Sequence, residues 1–354
     1  MSLENKNVLV VGTGTIGEPL IGLLCRMKKD LGLDDVIFHK RTPLKHERPK
    51  VNSLVKSGAK LSVNDDCIES FENLGHRVDY EFEDALSKSS VVIDCTPSGN
   101  VNNSTIYKNF PGKTYIAQGS EKGFGLPYAL GVSDQRLVDE QPTHIQVVSC
   151  NTHAIARLLT SLTRGLVPRT MYGDFTCIRR SNDVSQDGGF QPSVTCGRHE
   201  DEKFGTHHAR DVNDLFSYSV DLPIFSSALK TNTQYMHSIR FSVTIDELIS
   251  KSEVIDRLSR DKYVSLTNKK STNKVFSFGR DHGFYGRIYT QSVVCVPSLY
   301  VRNFDDVTRV AGVSFTPQDG NSLMSSVSAT LYGLYGPDYR KYVEKLDDLL
   351  INEV

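Results

Sequence analysis

The chain has 354 residues, 38% hydrophobic and 23% charged, enough for two domains with buried cores and too many for one ordinary core. Its 41 Lys and Arg nearly balance 42 Asp and Glu, so no charge bias points to nucleic acid or a membrane surface, and a small molecule is the expected partner. No window approaches the roughly 18 apolar residues of a membrane span, and the start MSLENKNVLVVG lacks a signal-peptide layout. Seven scattered cysteines (Cys25, Cys67, Cys95, Cys150, Cys177, Cys196, Cys295) contain no CxxC pair, so the expected setting is a reducing cytoplasm, with no bound metal.

In chain order, NVLVVGTGTIGEPLIGLLCRMKK reads as a buried strand, a glycine turn and a helix whose apolar positions Ile16, Leu20, Leu23, Leu24 and Met27 recur at helical spacing. A second strand, DDVIFHKRT, follows, then the amphipathic CIESFENLGH and three apolar runs, SSVVIDCTPSG, KTYIAQGSEKG and HIQVVSCN. Strands alternating with helical stretches predict an α/β fold of Rossmann type, a doubly wound parallel sheet. From Cys150 onward the texture changes. TMYGDFTCIRR, TQYMHSIRFSV and GRIYTQSVVCV alternate over longer spans, which predicts a second α+β domain with a largely antiparallel sheet. The stretch SNDVSQDGGFQPSVTCGRHEDEKFG reads as a long surface loop.

Gly12, Gly14 and Gly17 form GxGxxG between the first strand and the first helix. There the first glycine permits a tight turn, the second lets a pyrophosphate approach the backbone, and the third lets helix and strand pack closely. The alternative is a turn that serves packing alone. At the end of the second strand, where an acidic residue would select a free ribose 2'-hydroxyl, the chain offers Lys40, Arg41 and Thr42. These suit a 2'-phosphate and favour NADP over NAD, the alternative being two solvated cations.

Cys150 lies where HIQVVS stops and the helix-like NTHAIARLLTSLTRGL begins, with Asn151 or Thr152 placed to cap. The positive end of a helix lowers a thiol's pKa, so Cys150 is expected to be a nucleophile and to alkylate faster than the other six cysteines.

Together with GTGTIG, VVIDCTPSG, AQGSEKG, CIRRSND, HHARDVNDL and QSVVCVP, the segment VVSCNTHAIAR resembles the archaeal (type II) glyceraldehyde-3-phosphate dehydrogenases, in the same order along most of the chain. The resemblance implies cofactor contacts at Thr15, Ile16, Lys40, Thr42, Gly119, Arg180 and Gln291, with Cys150 as nucleophile. It implies a substrate-binding pair in His207 and His208, a phosphate ligand in Arg179, and substrate contacts from Ser149, Asn151 and His153 around the thiol. It also implies a homotetramer. Residues 1–149 would form the dinucleotide-binding domain, completed by a C-terminal helix from about 321 to 354, and residues 150–320 the catalytic domain.

The chain departs from the family twice. Where the family has MHxHS, with the first histidine the presumed base, this chain has QYMHS, putting His237 in the second histidine's place and Tyr235 in the first's. Residues two apart on a strand share a face, so His237 is taken as the catalytic base and Tyr235 as a positioned hydrogen bonder, with His208 as an outside candidate for the base and a purely structural His237 as the alternative. The other departure is His153, in place of a threonine; one helical turn from Cys150, it could supply an imidazolium that favours the thiolate, or simply reshape the pocket. The expected function is NAD(P)-dependent, phosphate-dependent oxidation of glyceraldehyde 3-phosphate through a Cys150 thioester, or its reverse, with inorganic phosphate as co-substrate. Another aldehyde, or a non-catalytic NADP-binding redox sensor, is the alternative.

Overall fold

The computed structural model describes residues 5–119, 121–183, 187–216 and 221–354. Part of the expected surface loop and one position of AQGSEKG therefore lie outside the described residues. The chain divides into two compact units, residues 1–128, 134–147 and 323–346 in one, and residues 129–133, 148–322 and 347–354 in the other.

The first unit is built on eight strands: β1 (Val8–Val11), β2 (Val36–His39), β3 (Lys60–Val63), β4 (Tyr80–Glu81), β5 (Val91–Asp94), β6 (Thr114–Gln118), β7 (Leu126–Tyr128) and β8 (His144–Val147). Among the described residues they form one sheet in the order β4-β3-β2-β1-β5-β6-β8-β7, every pair parallel. The strand order reverses between β1 and β5, the topological switch point where α/β sheets open a crevice beyond their carboxyl ends. Strands β1, β2 and β5 are buried at every position, which is why they read as continuous β-branched runs rather than alternating ones. β3 escaped the sequence reading because lysine and serine interrupt its apolar run, and β4 and β7 because they are only two and three residues long.

The helix Leu323–Tyr335 belongs to this unit: Ser326 Oγ donates to Gln118 Oε1 at 3.1 Å and Tyr335 Oη to the Leu31 carbonyl at 2.7 Å. The chain's last segment does not stay with it. Residues 347–354 join the second unit, where Leu266 N donates to Asn352 O and Val354 N to Leu266 O, both at 2.9 Å, satisfying an edge strand's backbone groups.

The second unit carries β9 (Thr170–Arg179), β10 (Thr195–Cys196), β11 (Ile224–Lys230), β12 (His237–Ile245), β13 (Val264–Thr267), β14 (Ser292–Cys295), β15 (Tyr300–Phe304) and β16 (Val307–Thr316). Their order is β10-β11-β9-β12-β16-β14-β13, with β15 on β16. The sheet is mixed. Its long central pairs β9–β12 and β12–β16 are antiparallel, while β11–β9 and β13–β14 are parallel. The helix Cys150–Leu162 packs into this unit's apolar core through Ala154, Ile155, Leu158, Leu159 and Leu162, all fully buried. No described helix is long and apolar enough to cross a membrane.

The glycine turn can be tested by volume. A Cβ at Gly17 would meet the Gly12 carbonyl oxygen at 2.0 Å, whereas one at Gly14 would meet nothing within 4 Å. Gly17→Ala is therefore expected to lower stability by about 2–3 kcal/mol and Gly14→Ala to change it by less than about 0.5 kcal/mol, as read by equilibrium urea unfolding. Equal losses would show that close packing does not govern the turn.

Candidate functional site

In the first unit, the turn after β1 sits at the switch point. Gly12 takes φ +94°, a left-handed conformation that favours glycine, and its missing side chain leaves room for Thr96, whose Cγ2 would lie 2.9 Å from a Cβ. Thr96 is fixed in turn by the fully buried Asp94 at the end of β5. That carboxylate accepts from Thr96 N (2.8 Å), Thr96 Oγ1 (2.6 Å), Asn102 Nδ2 (2.7 Å) and Tyr107 Oη (2.6 Å), a knot that the run VVIDCTPSG did not announce.

The helix Gly17–Met27 begins after Ile16, which makes no side-chain cap to its first amides. Those amides, the open space at Gly14 and the neighbouring Thr15 fit the pyrophosphate of a dinucleotide. At the end of β6, Gly119 takes φ +59°, faces open space, and is held by Gln146 Nε2 on its carbonyl at 3.0 Å.

Lys40 is half-buried, not the solvated cation of the alternative reading. It forms an ion pair with Glu47, which also accepts from Lys50 Nζ at 2.8 Å. Burial would push the Glu47 carboxyl up, but the bonds from Lys40 and Lys50 hold it down at about 2. Lys40 is therefore neutralised by its neighbour. Arg41 and Thr42 are exposed, and among the described residues the Arg41 guanidinium has no hydrogen-bond or ion-pair partner.

In the second unit, four chain ends converge: the end of β9 at Arg179 and Arg180, the start of β12 at His237, the end of β16 at Thr316, and the first turn of the Cys150–Leu162 helix. His237 pairs with Thr316 in register, and Ser238 with Ile178. Ser149 caps the helix, its side chain accepting from Thr152 N at 3.3 Å, in the place expected of Asn151 or Thr152. Asn151 is instead buried and turned to His208, with Nδ2 and Nε2 3.3 Å apart, while Thr316 Oγ1 donates to its Oδ1 at 3.4 Å.

The thiol of Cys150 is not acidified. Burial pushes it up to about 11, the Arg180 guanidinium pulls it down, and the Asp319 and Asp183 carboxylates push it up again. Desolvation thus outweighs the helix end. The exposed cysteine is Cys196, so the expected ranking of Cys150 as fastest to alkylate does not follow from access.

Nor is an imidazolium present to help. His153 is fully buried, with Nδ1 3.0 Å from the Ser149 carbonyl, and burial lowers its pKa to about 4. Near neutral pH it is uncharged.

His237 departs from its expected part as well. The backbone N–H of Arg180 donates to His237 Nδ1 at 3.0 Å, so in the neutral ring the proton must sit on Nε2. Burial first, then the charges of Arg180 and Arg179, lower its pKa to about 3. His237 therefore offers a hydrogen-bond donor at Nε2, not the lone pair a base needs. Tyr235 does not share its face, because Met236 between them takes φ +58° and β12 starts only at His237. Tyr235 is exposed instead, its ring centroid 4.7 Å from that of Phe276.

Arg180 and Gln291 were both expected at the cofactor. Arg180 is buried beside the thiol, its Nη2 2.7 Å from Asp183 Oδ1 and 3.9 Å from Asp319 Oδ1. Gln291 is fully buried and spends its amide on structure, accepting from Arg157 Nε at 2.9 Å and donating to the Leu130 carbonyl at 2.8 Å. It has no surface to give a ligand.

Arg179, by contrast, is exposed, and its guanidinium has no ion-pair partner among the described residues. His208 is held neutral by burial and by neighbouring charges. His207 stacks on it at 4.1 Å, with its Nδ1 3.3 Å from Glu200. The residues missed in the sequence are Asp183, Gln318, Asp319 and Asn321. An Asp-Gly pair after a strand marks a turn, but nothing local says that this turn folds over Cys150, whose carbonyl accepts from Asn321 Nδ2 at 2.9 Å.

A dinucleotide turn at a switch point in one unit and a cysteine among arginines and neutral histidines in the other are the parts of a dinucleotide-dependent oxidoreductase. No protein-family model matches the chain. It is 27% identical over 314 residues, 86% of either chain, to a glyceraldehyde-3-phosphate dehydrogenase of Sulfolobus acidocaldarius. To the protein of that name from Metallosphaera sedula it is 28% identical over 304 residues, 83% of this chain and 84% of the other. The protein of that name from Archaeoglobus fulgidus matches at 27% over 228 residues, 60% of this chain and 62% of its own. Over most of its length the chain is thus similar to archaeal glyceraldehyde-3-phosphate dehydrogenases, a likeness that supports an oxidoreductase of that type.

The electrostatics of the thiol predict the effect of removing its cation. An opposite charge at close range moves a pKa by one unit or more. Arg180→Gln should therefore slow alkylation of Cys150 at pH 8 by about tenfold or more, with Cys150 and Cys196 followed separately by peptide mass spectrometry. An unchanged Cys150 rate would remove Arg180 from the thiol's environment.

Proposed function

We propose that the chain oxidises glyceraldehyde 3-phosphate to 1,3-bisphosphoglycerate, or runs the reverse, through a thioester on Cys150. The observation that carries this reading is the convergence of Cys150, Arg179, Arg180 and His237 at one end of the second sheet. It is supported by the name shared by the relatives in Sulfolobus and Metallosphaera.

Arg179, with its unpaired guanidinium, is the ligand for the substrate phosphate, a charge-assisted contact. The Cys150 sulfur adds to the aldehyde carbon, and the Nε2–H of His237 donates to the oxygen on which charge gathers. Arg180 offsets negative charge on the sulfur. A nicotinamide dinucleotide bound at the glycine turn supplies the hydride acceptor, or the donor in the reverse direction. Inorganic phosphate then takes the acyl group from sulfur.

The test is formation of reduced cofactor from glyceraldehyde 3-phosphate with and without inorganic phosphate, in wild type and Cys150→Ser. Phosphate-dependent turnover that Cys150→Ser abolishes is the expected result. Cofactor binding without turnover would transfer the proposal to another aldehyde or to a redox sensor.

NADP remains the favoured cofactor in this reading, on the strength of Arg41 rather than Lys40. Arg41→Ala is expected to weaken NADP binding by about tenfold, the order of one charge-assisted contact, and to leave NAD binding unchanged, while Lys40→Ala has the smaller effect. Isothermal titration of both cofactors checks it, and equal losses for NADP and NAD would remove Arg41 from the 2'-phosphate.

A further inference from the structure

The thiol needs a proton acceptor, and neither His237 nor His208 offers one. Cys150 is a protonated thiol, the ring proton of His237 is on Nε2, and His208 has Thr206 Oγ1 at 3.1 Å from Nδ1 and Asn151 Nδ2 at 3.3 Å from Nε2. Both of these imidazoles are committed by their partners to donating or to a structural bond.

Among the described residues, one carboxylate of the same cluster carries no such commitment. Asp319 sits in the turn after β16, two residues before the Asn321 that holds the Cys150 carbonyl. It takes φ +66°, a conformation for which Asp and Asn are among the tolerated non-glycine residues. Its carboxylate is 3.9 Å from Arg180 Nη2, too long for a hydrogen bond, whereas the same nitrogen holds Asp183 at 2.7 Å. Asp183 is further tied by Gln318 Nε2 at 3.0 Å. Asp319 also borders a cavity of about 130 Å³ shared with Met236 and Arg287. The buried Nε of Arg180 has no hydrogen-bond partner among the described residues.

We propose that Asp319 is the proton acceptor for Cys150 in its addition to an aldehyde, a role that rests on the function proposed above. As the Cys150 sulfur bonds to the carbonyl carbon, the S–H bond breaks and its proton passes to a carboxylate oxygen of Asp319. The same proton then goes to the former carbonyl oxygen, leaving a neutral hemithioacetal and an ionised Asp319.

The groups that face Asp319 set its titration: burial raises its pKa to about 6, against the lowering charges of Arg180 and Arg287 and with the raising charge of Asp183. A carboxyl poised there is ionised at neutral pH and close to the range in which a base is most effective. The acceptor is lost as pH falls through that value, so kcat/KM should rise through an acid limb near pH 6.

The experiment is kcat/KM against pH for glyceraldehyde 3-phosphate oxidation in wild type, Asp319→Asn and Asp319→Glu, beside the cofactor-free alkylation rate of Cys150 at pH 8. Asn suits the left-handed backbone and keeps the side chain's shape, so Asp319→Asn should fold. It is expected to lose about 10²–10⁴-fold in kcat/KM, the usual worth of a positioned base, together with the acid limb, and Asp319→Glu should recover part of both. Alkylation of Cys150 in Asp319→Asn should hold or rise, since a negative charge beside the thiol has gone.

Activity within threefold of wild type with the limb intact overturns the proposal, as does alkylation that falls in parallel with turnover, the mark of a displaced thiol. A wild-type profile without an acid limb overturns it whatever the variants do. Wild-type protein that binds cofactor and turns nothing over defeats the proposed function itself, an outcome distinct from an active enzyme indifferent to Asp319.

Discussion

The buried guanidinium of Arg180 is the constraint on which the candidate site depends. Taking an arginine out of water costs several kcal/mol unless carboxylates and hydrogen bonds offset it. Here Asp183 and Asp319 supply the opposite charges. The same residue's backbone N–H fixes the His237 tautomer, and its charge acts on both the thiol and the imidazole. Three properties of the site are thus linked. The sulfur is less basic than burial alone would make it, the histidine is kept neutral, and the Asp319 carboxylate stays 3.9 Å from the guanidinium without being drawn into a tight pair.

This linkage accounts for an arrangement that looks unfavourable piece by piece. A thiol raised to about 11 is a poor nucleophile in its resting state, and a histidine lowered to about 3 is a poor base. Yet a protonated thiol resists adventitious alkylation and oxidation, both of which need the thiolate. A neutral imidazole with its proton on Nε2 can stabilise a developing oxyanion without first losing a proton. The pKa values are pushed apart by environment, and the assignment of roles follows from that separation.

The parts of the fold that were legible in the sequence are those whose signals are local. The glycine turn announces itself because close approach and left-handed backbone leave few residues available at Gly12 and Gly17, and the buried parallel strands appear as unbroken apolar runs. Cys150 at the head of its helix was legible for the same reason. What misled was the assumption that local position decides chemistry: a helix N-terminus favours a thiolate, but desolvation by the rest of the unit outweighs it.

The site's remaining features arise from backbone and tertiary events that no spacing rule encodes. The register of Tyr235 and His237 was argued from strand alternation, and it fails because Met236, a residue with no preference for a left-handed conformation, adopts one at the strand's entrance. Gln291 was expected at the cofactor, yet its amide is consumed by Arg157 and Leu130, partners far along the chain. Asp319 was invisible for the complementary reason. In sequence it is one half of an Asp-Gly turn, and it becomes chemically distinct only because the strand before it delivers that turn to Arg180 and to the start of the Cys150 helix. A carboxylate's reactivity is set by what surrounds it, and in this unit the surroundings are assembled from β9, β12, β16 and a helix that lie far apart in the sequence.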